Sequence, residues 1–403
     1  MQTVDAGATR VARMRIQTLL AVVVGLVLTL AGCSGGLRSR DALDVVPGLP
    51  PIVAIDAEGQ HSLALAADGR VFSWGDTEGG LGGPAPVDDC ADRTPESSTP
   101  CRPIPAVVPL PGPAVAISSA DDHQAALTAD GAVWTWGSDH DPRHATSPER
   151  CRGDVPCHVA PIRVPGLPPV TGMSAGTSHL LAVDRDGRVW QWGEVPAPWS
   201  TTTCSGEPSY GRDYPCSPDP VVVPGLPAVT SVVTHGTISL AIDTEGGLWS
   251  WAPGTSTQLG RTATPTRIPG PDTVAGVATG RDGTAIVGRD GSVWVTGQLT
   301  GLPDGDCGRQ CTLTPVRELG PGSAMATTGT SGLRVRTADG TVLVRDREGV
   351  SAGVTGPPPS SWVPAPEFAG AAMVAHGQQH QLVLTADGRV LARGYNAYGQ
   401  LGV

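Results

Sequence analysis

The sequence predicts an all-β fold, a seven-bladed β-propeller of four-stranded antiparallel blades whose ring is closed by the N-terminal strand. An Asp-Gly or Glu-Gly turn recurs seven times between short apolar strands, beginning at Asp68, Asp130, Asp186, Glu245, Asp290, Asp339 and Asp387. Successive turns are 62, 56, 59, 45, 49 and 48 residues apart, within or somewhat above the length of a blade-sized repeat. The chain also contains 54 Gly and 39 Pro, and no segment after residue 33 keeps a helical period.

Each repeat is centred on a β-hairpin, because Asp-Gly tolerates the positive φ angles of a tight two-stranded turn. The strand after the turn carries aromatic residues two positions apart, such as Trp134 and Trp136. This spacing places both side chains on one face of the sheet, where we expect them to pack between blades. A histidine opens four of the hairpins, and we expect it to form structural hydrogen bonds rather than to act in catalysis. These histidines are His61, His123, His179 and His380.

An apolar segment ending in a Pro turn precedes each hairpin, as in Val45 to Pro50. Proline is tolerated there because an edge strand need not donate every backbone hydrogen bond. One such segment comes before the first hairpin, and none follows the seventh in the printed sequence. We therefore expect Val45 and Val46 to complete the last blade, which removes two open sheet edges.

The last repeat carries the fullest sequence motif. Its elements are Gly377, His380, Asp387, Gly388, Gly394, Asn396, Gly399, Gln400, Leu401 and Gly402. This pattern resembles the regulator of chromosome condensation repeat, and the resemblance covers roughly residues 44 to 403. It implies a seven-bladed propeller that serves as a protein-binding platform. One secreted bacterial relative inhibits β-lactamases through its loop face, so the resemblance also leaves an inhibitor open.

The N-terminus is typical of a bacterial lipoprotein. Arg10, Arg13 and Arg15 precede an apolar run from about Leu19 to Leu30, which meets Leu-Ala-Gly-Cys at Cys33. A plain transmembrane anchor is the alternative, but the run is shorter than the ~20 residues that span a bilayer. We therefore expect a signal peptide over residues 1–32, a tether lipid-anchored through Cys33 over 33–43, and the propeller over 44–403. The protein is then expected on the extracytoplasmic face of the cell membrane, as a monomer.

The charge argues against nucleic acid as a partner. Residues 33–403 contain 24 Arg, no Lys and 37 Asp or Glu, which gives a formal charge of −13. An acidic surface without a basic stripe lacks the phosphate contacts that supply most nucleic-acid affinity. Exchange activity on a small GTPase is not expected outside the cytoplasm.

Eight cysteines follow the lipobox cysteine as four close pairs, each within one insertion between repeats. The pairs are Cys90 with Cys101, Cys151 with Cys157, Cys204 with Cys216, and Cys307 with Cys311. We expect local disulfides, which suit an oxidising compartment. Zinc is the alternative, since His140, His144 and His158 lie near the second pair. The spacing matches no familiar zinc arrangement, so we predict no metal and no cofactor.

The sequence favours a binding protein over an enzyme. It contains no phosphate-binding glycine loop, no Gly-x-Ser-x-Gly elbow and no His-Glu-x-x-His helix. A wall-glycan or small-ligand binder and an enzyme with its site in the propeller mouth remain as alternatives. We expect an extracytoplasmic protein partner on the face that carries the insertions at about 76–104, 138–161 and 194–219. Trp199, Tyr210 and Tyr214 are residue types enriched at interface hot spots, although a local core over Cys204 and Cys216 would use them equally well.

Overall fold

The structure, a computed structural model, confirms the all-β seven-bladed propeller. It describes residues 40–77, 80, 88–90, 100–138, 149, 151, 156–204, 213–252, 262–280, 283–295, 314–316, 323–329, 332–346 and 362–403. Seven antiparallel sheets lie in a ring. Two 3₁₀ turns are described in full, Ala197–Trp199 and Pro366–Phe368, and Gly80 is also in 3₁₀ conformation. None of these described helices has the length and apolar character needed to span a membrane.

We number the blades along the chain and give their strands from the channel outward. Blade 1 contains β2 (Ile52–Glu58), β3 (His61–Ala66), β4 (Val71–Asp76), β6 (Pro100–Val108) and the short β5 (Asp88–Asp89). Blade 2 contains β7 (Ala114–Ser119), β8 (His123–Thr128), β9 (Val133–Ser138) and β10 (Cys157–Arg163). Blade 3 contains β11 (Val170–Ala175), β12 (His179–Asp184), β13 (Val189–Glu194), β15 (Tyr214–Val222) and the short β14 (Thr202–Cys204).

The remaining blades follow the same order. Blade 4 contains β16 (Val229–His235), β17 (Ile238–Asp243), β18 (Leu248–Trp251) and β19 (Thr266–Arg267). Blade 5 contains β20 (Val274–Gly280), β21 (Gly283–Gly288), β22 (Val293–Val295) and β23 (Thr314–Val316). Blade 6 contains β24 (Ser323–Gly329), β25 (Gly332–Thr337), β26 (Val342–Asp346) and β27 (Val363–Pro364). Blade 7 contains β28 (Ala371–His376), β29 (His380–Thr385), β30 (Val390–Gly394) and β1 (Arg40–Val45).

The N-terminal strand closes the ring as the sequence predicted. β1 pairs antiparallel with β30, with Val45 opposite Leu391, and the Val46 N–H donates to the Val390 carbonyl at 2.9 Å. The innermost strands of neighbouring blades contact one another around the whole ring, including β2 with β28. β1 begins at Arg40, so four residues that the sequence assigned to the tether belong to the propeller strand.

The tryptophan column packs between blades, which confirms the packing interpretation. The second aromatic residue of each pair is almost fully buried, as for Trp74, Trp136, Trp192 and Trp251. Each lies in a cluster with strands of the preceding blade: Trp192, for example, packs with Leu127 and Val133 of blade 2. Some indole N–H groups also cross the interface, since Trp251 Nε1 donates to Gln191 Oε1 of blade 3 at 2.8 Å. The core is therefore a ring of seven interfaces built one blade at a time.

Glycine follows the tryptophan because the strand passes too close to its neighbour for a side chain. Gly75 has φ +108°, and a Cβ there would lie 2.5 Å from the Gln60 carbonyl oxygen. Gly193 and Gly394 repeat this approach with φ +89° and +109°. A positive φ combined with backbone contact at this distance admits only glycine.

Two of the four recurring histidines, His179 and His380, form buried hydrogen bonds between blades. Neither ring nitrogen of His61 has a hydrogen-bond partner among the described residues. His380 Nε2 of blade 7 lies 2.8 Å from Ser62 Oγ of blade 1, and that hydroxyl donates to the Gln400 carbonyl. His179 Nε2 of blade 3 lies 2.7 Å from Ser239 Oγ and 3.0 Å from Thr234 Oγ1 of blade 4. Burial lowers the pKa of His179 to about 4 and that of His380 to about 3. Both rings are therefore neutral at pH 7, as structural groups should be.

Candidate binding face and channel mouth

The strand order places all the insertions on one face of the ring. In each antiparallel blade, the turn between the first and second strands lies at the same end as the connection between the third and fourth strands. The Asp-Gly turns and the Pro turns lie at the other end. We call the end that carries the connections between the third and fourth strands the insertion face. We call the end that carries the Asp-Gly and Pro turns the turn face. The insertion face therefore carries the longest segments between strands, and loops are the class of segment that most often carries binding residues.

Three disulfides lie at equivalent positions on the insertion face. Cys90–Cys101, Cys151–Cys157 and Cys204–Cys216 are bonded, with Cα–Cα distances of 5.7, 5.8 and 5.8 Å. Within these pairs, Cys101, Cys157 and Cys216 are fully buried. Each of the three lies opposite the last residue of its blade's third strand. The fourth predicted pair, Cys307 with Cys311, and the lipobox Cys33 lie outside the described residues.

The three aromatic residues assigned to a partner site have different surroundings. Trp199 is half-buried and packs against the cluster between blades 3 and 4 that contains Val223 and Trp251. Tyr214 begins β15, where it lies opposite Cys204 of β14, and it is also half-buried. Tyr210 lies outside the described residues. Trp199 thus packs at a blade interface rather than in a local core over Cys204 and Cys216, and its part in partner binding stays a prediction.

The central channel opens on the insertion face in a polar cavity of about 250 Å³. It is lined by the last residues of the inner strands of blades 1 to 5 and 7. Asp56 and Glu58 lie two residues apart on β2, so both carboxylates point to the channel. Asp56 Oδ2 accepts from the Ser119 N–H of blade 2 at 2.8 Å, and Oδ1 accepts from the Ala57 N–H at 2.9 Å.

Hydroxyl groups repeat this contact between the next blades. Ser118 Oγ accepts from the Ala175 N–H at 2.9 Å, and Ser174 Oγ accepts from the Thr234 N–H at 3.0 Å. Asp56 occupies the equivalent place in blade 1. The inner strands are therefore joined side by side by polar side chains that also form the wall of the cavity.

An ion pair crosses the mouth from blade 1 to blade 4. Glu58 Oε2 lies 3.5 Å from His235 Nδ1. Burial lowers the pKa of His235, but the hydrogen bond and charge of Glu58, with Asp121 and Asp56 beyond, outweigh burial and raise the pKa above its usual value. Burial raises the pKa of Asp56 to about 6; the Ser119 backbone hydrogen bond lowers it, and the charge of Glu58 raises it again.

His376 completes the polar lining on the opposite side, at the end of β28. Its side chain is 8% exposed, and its buried Nε2 has no hydrogen-bond partner among the residues that the structure describes. Burial lowers the pKa of His376 well below its usual range, and the positive charge of Arg334 lowers it further. The ring is therefore neutral at pH 7.

Sequence reasoning missed the residues of the channel mouth. Asp56 and Glu58 stand at alternate positions of a strand whose other face is Ile55 and Ala57, an ordinary pattern for a half-exposed strand. The repeat does predict that β2 is an inner strand, so its polar face could have been assigned to the channel. The pairing of Glu58 with His235 joins blades that are distant in sequence and carries no local signal. Among the described residues, no three His, Cys, Asp or Glu side chains converge as metal ligands do.

Comparison with known proteins agrees with the motifs. Residues 52–80 match the family model described as the regulator of chromosome condensation (RCC1) repeat. The RCC1 domain-containing protein RUG3, mitochondrial, of Arabidopsis thaliana is 28% identical over 285 residues, covering 64% of this chain and 59% of that protein. The mouse regulator of chromosome condensation is 31% identical over 177 residues, covering 42% of this chain and 39% of that protein. The chain thus matches less than two thirds of either relative.

Solved structures show the same fold. Human WBSCR16 superposes with a TM-score of 0.64 at 22% identity, covering 83% of this chain and 90% of that chain. Prp20p from Saccharomyces cerevisiae, studied for its binding to Gsp1p and histones, superposes with a TM-score of 0.60 at 18% identity, covering 86% and 82%. These likenesses show that the chain shares the propeller fold of both structures.

Proposed function

We propose that this protein is a lipid-anchored, extracytoplasmic propeller without enzymatic activity that binds a protein partner through its insertion face. The observation that carries the proposal is the set of three disulfide-closed insertions at equivalent positions around one mouth. Cross-linked loops have less conformational entropy to lose on association than open loops of the same length. A face assembled in this way is pre-organised for a macromolecule.

The partners of the similar proteins are not carried over to this chain. Prp20p is described with Gsp1p and histones, but similarity at 18% identity carries the fold alone. The acidic composition, with no Lys and a charge of −13 over residues 33–403, favours a partner with a basic surface over nucleic acid.

The anchor is tested by metabolic labelling with a palmitate analogue. Wild-type protein and Ser34→Ala should be labelled and recovered with membranes. Cys33→Ala should lose both the label and membrane retention, because the acylated sulfur is gone. A labelled Cys33→Ala protein would overturn the lipoprotein assignment.

Partner binding is tested by cross-linking in intact cells followed by capture of the full chain. Tyr210→Ala combined with Tyr214→Ala should abolish capture of a defined partner. We expect the thermal transition to stay in place, since Tyr214 is half-buried and belongs to neither core cluster of blade 3. Arg70→Ala, on the turn face and 51% exposed in its side chain, should leave capture unchanged. Equal capture by all three proteins would show that the insertion face is not the binding surface.

A further inference from the structure

The interface between blades 6 and 7 is open at the turn face. In five other interfaces, the carbonyl of the turn glycine accepts a hydrogen bond from the first N–H of the next blade's inner strand. These bonds run from Ala114 to Gly69, Val170 to Gly131, Val229 to Gly187, Val274 to Gly246 and Ile52 to Gly388, at 2.8 to 3.0 Å. The corresponding bond from Ala371 to Gly340 is not formed. Both residues line a cleft of about 590 Å³, which we call the blade 6–7 cleft.

The cleft is open because blade 7 lacks a side chain at the position that fills the other interfaces. The residue before the inner strand is Pro113, Pro169, Ala228, Thr273 or Pro51 in the five closed interfaces, but it is Gly370 here. A Cβ on Gly69 would lie 2.5 Å from the Cβ of Pro113, whereas a Cβ on Gly340 would meet no atom within 4 Å. The turn of blade 6 and the start of blade 7 therefore leave room for a ligand between them.

Arg336 lines this cleft at a position where every other hairpin has a buried aliphatic residue. The equivalent residues, each opposite the first residue of the third strand, are Leu65, Leu127, Val183, Ile242, Val287 and Leu384, and none is more than 8% exposed. Arg336 lies opposite Val342 and is half-buried. Within the part of the chain that the structure describes, Arg336 forms no hydrogen bond or ion pair. A guanidinium among apolar groups without a partner is unfavourable, so a bound anion would stabilise it.

The groups around Arg336 favour a carboxylate over a more highly charged anion. A planar guanidinium binds one carboxylate through two parallel hydrogen bonds. Asp339 also lines the cleft. Hydrogen bonds from the Thr337 hydroxyl and the Thr341 N–H lower the pKa of Asp339 below its usual value, so its carboxylate is charged at pH 7. This negative charge repels a dianion such as phosphate more strongly than it repels a single carboxylate.

The remainder of the cleft suits a short peptide. Val342 and Ala365 are buried and contribute apolar wall, as Pro366 and Ala372 do. A peptide bond carries one N–H donor and one carbonyl acceptor. In the closed interfaces, an N–H equivalent to that of Ala371 and a turn carbonyl satisfy each other. In the blade 6–7 cleft the same two groups lack this mutual bond, and one peptide unit of a ligand can pair with both.

We infer that the blade 6–7 cleft binds the terminal carboxylate of a peptide whose last residues have small apolar side chains. Arg336 holds the carboxylate, and the Ala371 N–H and Gly340 carbonyl hold the peptide unit before it. The volume lies within the range of ligand pockets and leaves room for about two residues. The site lies on the turn face and does not rest on the proposed function of the insertion face. A free peptide and the C-terminus of a protein offer the same chemistry.

The test is calorimetric titration of the purified full chain at pH 7.5 and low salt. Acetyl-Ala-Ala, which has a free carboxylate, should bind with one site per chain. Acetyl-Ala-Ala amide should bind about tenfold more weakly or not at all, because it lacks the charge. Inorganic phosphate should also bind more weakly than acetyl-Ala-Ala. A carrier protein ending in Ala-Ala separates the two sources: tighter binding than the dipeptide assigns the site to protein C-termini, and equal or weaker binding assigns it to free peptides.

Variants assign the binding to the cleft. Arg336→Leu restores the aliphatic residue of the other blades and should weaken binding about tenfold or more, while the thermal midpoint stays or rises. A merely structural role for Arg336 would instead lower that midpoint. Arg336→Gln keeps a polar side chain without the charge and should weaken binding in the same way. Arg389→Leu is the matched control, because Arg389 is a turn-face arginine, 61% exposed and paired with Asp387; it should leave the affinity unchanged.

Four results would overturn the inference. The first is no binding of acetyl-Ala-Ala, and the second is equal binding of the acid and its amide. The third is phosphate binding as tight as that of acetyl-Ala-Ala, which would indicate a general anion site. The fourth is wild-type affinity in Arg336→Gln, or an equal loss of affinity in Arg336→Leu and Arg389→Leu.

Discussion

Mild acid should loosen the propeller at its blade interfaces through the buried histidines. His179 is completely buried, and burial lowers its pKa from 6.5 to about 4. Between these two values the unfolded chain binds a proton that the folded chain does not, so the free energy of unfolding falls as pH decreases from about 6.5 towards 4. Stability contributed by the neutral ring is therefore present above pH 6.5 and lost below it.

The magnitude follows from the two pKa values. Between pH 7 and pH 5, one such histidine lowers the free energy of unfolding by about 2 kcal/mol. His61 has its pKa lowered to about 4 and His380 to about 3, so each adds a similar loss. Asp56 acts in the opposite direction, because its raised pKa of about 6 means that the folded chain binds its proton first. Its contribution is a gain of about 1 kcal/mol over the same range.

The assay is urea denaturation followed by tryptophan fluorescence at pH 7 and pH 5, with the disulfides intact. His179→Asn should lose about 2 kcal/mol less between the two pH values than the wild type, because it has no ring to protonate. Ser239→Ala removes the hydroxyl 2.7 Å from His179 Nε2 but keeps the titrating group. It should be less stable at both pH values and keep the wild-type difference. If His179→Asn shows the same pH dependence as the wild type, neutral burial of this histidine is not what couples stability to pH.

Three further predictions concern the scaffold. Gly75→Ala should lower the free energy of unfolding, measured by denaturation, by at least about 2 kcal/mol. The reason is that φ is +108° and the new Cβ would lie 2.5 Å from a backbone oxygen. An unchanged free energy of unfolding would refute this prediction. Deleting residues 40–46 should broaden the thermal transition and lower its midpoint. Val46 is buried, and the loss of its side chain alone costs about 2 kcal/mol. An unchanged melting curve would contradict ring closure by this strand. Replacing Cys204 and Cys216 with Ser should lower the free energy of unfolding by about 2–3 kcal/mol, while the circular dichroism spectrum stays that of an all-β protein. Loss of the β-sheet signal would show that the disulfide is needed for the fold itself.

The hairpins and their number could be predicted from the sequence, because the residues that form each turn and its two strands are close together along the chain. A turn such as Asp387-Gly388 requires residues that tolerate positive φ, and Gly388 has φ +82°. Seven such turns at blade spacing predict seven blades, and the outer strand at Val45 predicts how the ring closes. The cysteine pairs were accessible for the same reason, since the bonded partners lie only 6 to 12 residues apart.

The contacts of individual side chains within a repeat could be predicted less well from the sequence. Trp199 sits in a loop and has the character of an interface residue, yet it packs against Trp251 and Val223 at a blade interface. Its environment depends on where the next blade lies, which the loop sequence does not encode. The same holds for His179 and His380, whose structural role could be predicted but whose hydroxyl partners belong to neighbouring blades.

By itself, the sequence determined the strand order, the turns, the seven-fold repeat and the seam at which the ring closes, because each depends on contacts within about one repeat. Only the tertiary structure decided the channel mouth. His380 and Ser62 meet across 318 residues of sequence, and Glu58 meets His235 because closure of the ring brings the ends of blades 1 and 4 to the same axis. Convergence at an axis is a property of the closed ring, so no single repeat contains the signal for it.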